Sequence, residues 1–139
     1  MIKQIEMTEA KSESRLADNR QVIDQSIDNI VSNLNTLNTN TENIPGWEMR
    51  FEIDKRFRTD LNTFVEARKS LAHIYGLQAY ADIMSPFAAG ERYLNRVWSA
   101  STDGYFEEVT KYLSRAHTQF IEVRQKLDQV HELQTAQKS

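Results

Sequence analysis

Between Phe106 and Val130 the apolar residues fall at Phe106, Val109, Leu113, Ala116, Phe120, Val123, Leu127 and Val130, at spacings that alternate three and four without a break. Three and four average 3.5 residues, which holds one stripe of an α-helix against one partner along its whole length. The stretch therefore reads as a helix of about four heptads with a coiled-coil-like seam. Such a seam requires something to pack against and carries no chemistry of its own.

A second stripe begins at Leu16 and continues through Ile23, Ile27, Ile30, Leu34 and Leu37, with Arg20 at its one non-aliphatic seam position. The two stripes differ in kind. The first 46 residues contain no aromatic, and all thirteen aromatics lie between Trp47 and Phe120. A narrow aliphatic seam suits an edge contact between two helices, either within one chain or between chains. Leu16, Ile23, Ile27, Ile30, Leu34 and Leu37 are accordingly the candidate interaction residues, offered to a second copy or to another protein's helix.

Punctuation between the stripes sets the helix count. The 139 residues hold only four glycines and two prolines, which favours a few long helices over a sheet. Helix propensity falls through the Asn/Thr/Ser run 32–43, so the first helix is expected to stop near Leu37 to Asn40, before the Pro45-Gly46 turn. The second helix is expected from Gly46 or Trp47 to about Met84, passing through Gly76. Ser85-Pro86 reads as the start of a short third helix ending near Ser99, because proline is tolerated in a first turn. In that helix Ala88, Ala89 and Gly90 leave room for a close neighbour. Thr102 or Asp103 then caps the fourth helix, where Glu107 and Glu108 meet the positive end of its dipole. The expected fold is all-α: one domain over 1–139, an antiparallel bundle of about four helices, three long and one short, with frayed termini at 1–15 and 135–139.

Composition removes several functions. There is no cysteine, which excludes disulfides and thiolate chemistry. No run of eighteen apolar residues and no signal-like N-terminus occurs, so the expectation is a soluble, cytoplasmic protein without a transmembrane segment. Residues 1–45 carry four Lys or Arg against seven Asp or Glu, while 46–139 carry thirteen of each. An acidic arm on a neutral body argues against nucleic-acid binding, which needs a concentrated positive field. The window 47–60 interleaves Trp47, Phe51 and Phe57 with Arg50, Lys55, Arg56 and Arg58, yet Glu48, Glu52, Asp54 and Asp60 bring it to zero charge at spacings that pair along a helix. Its aromatics read as core.

No catalytic motif is present. His73, His117 and His131 are dispersed, the last two lying fourteen residues apart, or roughly 21 Å along one helix. No Glu-x-x-His pair, phosphate loop or His-Glu-x-x-His string occurs, so no metal, cofactor or catalytic residue is assigned and the reading leans away from an enzyme. Tyr80, Phe87, Tyr93 and Trp98 cluster in the middle of the sequence and form a candidate apolar pocket.

The stretch 91–120, ERYLNRVWSASTDGYFEEVTKYLSRAHTQF, loosely resembles phasins, helical proteins that coat bacterial storage-polymer granules. The resemblance is one of pattern, a helix, a short Ser/Asp-bearing break and a long amphipathic helix. It implies an apolar face that docks on a granule or lipid surface. The leading expectation remains a non-enzymatic helical scaffold that self-associates or binds a partner helix. The alternative is a binder of a hydrophobic ligand or apolar surface.

Overall fold

The computed structural model describes the backbone of residues 2–138 and the side chains of residues 19–136. Four helices follow in order: α1 (Ile2–Thr39), α2 (Met49–Tyr75), α3 (Leu77–Asp103) and α4 (Phe106–Lys138), with one 3₁₀ turn (Gly46–Glu48) leading into α2. Among the described residues there is no strand, and no helix is long and apolar enough to cross a membrane.

Cross-helix pairs define the topology. Asn19 reaches Ser70 and Asn29 reaches Asp60, so α1 and α2 run antiparallel. Trp98 bonds Asp54 and Phe87 stacks on Phe64, which sets α3 antiparallel to α2. Tyr93 stacks on Tyr112 for α3 and α4, and Arg124 bonds Asp24 to close α4 back onto α1. The result is an up-down-up-down bundle in which each helix touches the next and α4 returns to α1.

Its core joins two chemistries. From α1 come Ile23, Ile27, Ile30, Leu34 and Leu37; from α4 come Val109, Leu113, Ala116, Phe120, Val123 and Leu127, all buried. Between them runs an aromatic column, with Phe64 and Phe87 stacked at 4.2 Å and Phe120 set edge-on to Phe87 at 5.5 Å. Each fully buried side chain of this size contributes about 1.5–3 kcal/mol before the cost of ordering it. The two seams thus pack within one chain.

The helix boundaries depart from the sequence expectation on either side of α3. The chain reverses at Gly76, and the helix runs straight through Ser85-Pro86. Gly76 has φ 91° and ψ 168°, a region open essentially to glycine alone, which lets α2 end and α3 begin with one residue between them. Pro86 forfeits one helical hydrogen bond, but its ring is buried among the core residues of α3. At the far end α3 continues past Ser99 to Asp103, so neither Thr102 nor Asp103 caps α4. Gly104, left-handed at φ 86°, closes α3 instead, and the amide of Tyr105 donates to the Ala100 carbonyl. The bundle consequently has four long helices and no short one.

The end of α1 falls where the Asn/Thr run predicts it. Asn38 and Asn40 turn their side-chain amides back onto the carbonyls of Leu34 and Thr36, at 2.8 and 2.7 Å. The Asn40 bond satisfies a carbonyl the ending helix would leave open, and the Asn38 bond adds a second donor to one inside it.

Candidate interaction surface

Ile23, Ile27, Ile30, Leu34 and Leu37 are all enclosed by their own chain, at no more than 1% exposure. Offered above to a second helix, they are closed inside the bundle, where α1 packs against α2 and α4. Leu16 lies outside the described side chains. Arg20, the polar seam position, holds its guanidinium 5.4 Å from the Tyr75 ring centroid and bonds Gln134.

Tyr80, Phe87, Tyr93 and Trp98 do not converge. Phe87 is in the aromatic column, Tyr80 packs half-buried against the core, and Tyr93 lies with Tyr112 on the face between α3 and α4. Trp98 turns the other way, donating its indole N–H to Asp54 Oδ2 at 3.2 Å. One hundred degrees per residue spreads the four around α3, and no pocket is formed by them.

Large exposed rings gather instead where the 3₁₀ turn, the start of α2, the end of α3 and the start of α4 meet. Trp47 is 52% exposed, Phe51 53%, Trp98 40%, Tyr105 62% and Phe106 46%. The arrangement is built from the backbone outward. Ser101, buried on α3, donates to the Gly46 carbonyl at 2.5 Å and accepts the Arg50 amide at 3.0 Å, locking the entry of α2 to the exit of α3. Phe106 lies over Gly46 so closely that a Cβ there would collide with the ring. Trp47 and Phe51 are four residues apart on one face, and the guanidinium of Arg50 stands 4.7 Å from the Phe51 ring centroid. One turn further along, Asp54 holds Trp98 with one oxygen and Arg58 with the other. Acid and base pairing along α2 follows the expected spacing, since Glu52 also holds Arg56 at 2.6 Å.

The reading of this window as core fails for two of its three aromatics, and the signal was present in the spacing. Met49, Ile53 and Phe57 are buried and recur every four residues. Trp47 and Phe51 are offset from that series by two, which is half a turn and the opposite face. Phe106 obeys the heptad rule but lies at the first position of α4, beyond the layer where α1 covers the core.

The opposite end is polar. Arg124, on α4, bonds Asp24, Asp28 and Asp128; burial would lower the guanidinium pKa, but the bonds to Asp128 and Asp24 outweigh that penalty and push it up. Beside it the His131 and Tyr75 rings lie 5.4 Å apart, and among the described residues neither Tyr75 Oη nor His131 Nε2 has a hydrogen-bond partner. Burial pulls the His131 pKa below its ordinary value, opposed by Asp24 and reinforced by Arg20 and Arg124. Burial also raises that of Tyr75. A cleft of about 410 Å³ adjoins them, floored by Ile74, Ile83 and Val130 and edged by Asp82 and Lys126. His131 Nε2 is 3.9 Å from Asp24 Oδ1, and no hydroxyl nucleophile bonds it, so the cluster lacks the linked base and nucleophile of an acyl-transfer site. Among the described residues no group of three His, Asp or Glu could hold a metal ion.

Comparison of the chain with protein-family models, curated proteins and solved structures finds no match.

Proposed function

We propose that the protein is a non-enzymatic interaction module that self-associates through the aromatic end of its bundle. The observation that supports this is the exposure of Trp47, Phe51, Trp98, Tyr105 and Phe106 around one joint, in a chain whose seams are closed from Ile23 to Leu37 and from Val109 to Leu127. Exposing large rings together costs solubility, and aromatic residues are the type most enriched at the centres of protein interfaces. Charged neighbours such as Glu48, Arg50 and Asp54 supply a polar rim. The scaffold role expected from the α1 seam is thereby moved to a different surface.

The reading has a built-in reporter, because Trp47 and Trp98 are the only tryptophans and both belong to the patch. The emission maximum is expected to move to the red on dilution, as the indoles return to water. Emission that is the same from micromolar to submillimolar protein would contradict self-association here.

A second reading, docking on an apolar surface, is favoured by the Trp/Tyr content of the same patch. Such rings carry an apolar body and a polar tip, and Trp98 already uses its tip on Asp54. Blue-shifted emission on adding uncharged vesicles to dilute monomer would support it, and no response would exclude it.

A further inference from the structure

On the face between α3 and α4, five residues before Trp98 and six after Phe106, the rings of Tyr93 and Tyr112 stack with centroids 5.9 Å apart. Three cations crowd them. Arg96 lies 6.0 and 5.4 Å from the two centroids, Arg115 lies 6.0 and 5.7 Å from them, and Lys111 is 5.5 Å from Tyr112. A fourth, Arg92, is one helical turn before Arg96, and with Ala89 and Tyr93 the two arginines line a hollow of about 80 Å³.

None of these four cations takes part in an ion pair or a side-chain hydrogen bond among the described residues. Arg56, Arg58 and Arg124 all hold carboxylates. Glu107 and Glu108 stand one turn before Lys111 and Tyr112 on α4, yet neither comes within ion-pair distance of the cluster. The chain as a whole is acidic, at -3, so the concentration of positive charge is local. Like charges gathered on two short helical stretches repel one another, and ring faces offset only part of that repulsion. An oxyanion would relieve it and would match the fork of donors that each guanidinium presents. The hollow is well below the roughly 300–1,000 Å³ that encloses a drug-sized ligand, so it suits a terminal anionic group with the rest of the molecule outside.

We propose that Arg92, Arg96, Arg115 and Lys111 form a binding site for a phosphate group, free or as the monoester of a small molecule. The Tyr93 and Tyr112 rings hold the cations in place and supply hydroxyls at the rim.

The test is an NMR titration of the full chain with inorganic phosphate and, separately, with glycerol phosphate, at constant ionic strength set by chloride. Saturable shifts confined to residues 89–96 and 111–115 are expected, with affinity at least tenfold weaker in Arg96→Gln with Arg115→Gln. Saturation by both ligands assigns the phosphoryl group as sufficient. Saturation by glycerol phosphate alone supports the monoester. Shifts that rise linearly without saturation for both ligands, or binding undiminished in the double variant, overturn the site. Both arginines are exposed, so the variant should keep its helical fold, checked by circular dichroism. The variant Trp47→Ser with Phe51→Ser is expected to bind phosphate as the wild type does, which separates this proposal from self-association.

Discussion

Gly90 on α3 faces the ring of Phe120 on α4 so closely that a Cβ at position 90 would lie 2.5 Å from Phe120 Cε2. The ring is itself wedged edge-on against Phe87 and has no free direction in which to retreat. Alanine in a helix gains about 1 kcal/mol over glycine, whereas overpacking a filled core costs about 1–3 kcal/mol. Gly90→Ala is therefore expected to be net destabilising, read as a lower urea midpoint with an unchanged slope.

Gly76 presents the opposite case, since open space surrounds it and only its backbone resists substitution. At φ 91° a side chain is strained whatever the room, at a cost of about 1–3 kcal/mol. Gly76→Ala is expected to lower the thermal midpoint. Pro86→Ala is expected to raise it, because α3 is continuous there and alanine restores a helical amide.

How far these features were legible follows from the range of the forces involved. The seams from Ile23 to Leu37 and from Val109 to Leu127 appear in the sequence because periodicity depends only on the helix itself. The joint at Gly76 does not, since glycine and proline each have two uses and the choice is made by packing: Gly76 had to turn once α2 and α3 paired, and Pro86 could be absorbed once its ring was buried. Trp47 and Phe51 were visible as aromatics, and their two-residue offset from Met49 and Ile53 marked them as outward. The Tyr93 to Tyr112 stack was hidden, because nineteen residues separate the two rings and only the α3–α4 hairpin brings them together.

Burial of the α1 seam changes what its disruption should do. Ile27 and Leu34 are wholly enclosed, so Ile27→Asp with Leu34→Asp places two carboxylates in a core with no partner for either. The double variant is expected to unfold, with loss of helical circular dichroism and not merely of association. Retention of a folded monomer would return α1 to the role of an intermolecular helix.

Acid should weaken the fold through two histidines. Burial lowers the pKa of His117 and of His131 below the ordinary 6.5, with Asp24 opposing the shift at His131. The unfolded chain then binds these protons more tightly than the native one, so stability is complete above pH 6.5 and is lost as pH falls through that value toward the folded pKa. The urea midpoint is expected to drop between pH 7.5 and 5.5. Replacing both histidines by glutamine should remove most of that slope, and an unchanged slope would assign it to carboxylates.

Self-association through the exposed rings is tested most directly by solution mass, measured by light scattering over a concentration series on the whole chain and on Trp47→Ser with Phe51→Ser. Both substituted rings are more than half exposed, so the variant retains the core and loses only the patch. The wild type is expected to rise from monomer mass with concentration while the variant stays monomeric. A wild type that remains a monomer throughout, or a variant that associates equally well, would contradict the assignment of the aromatic end to assembly.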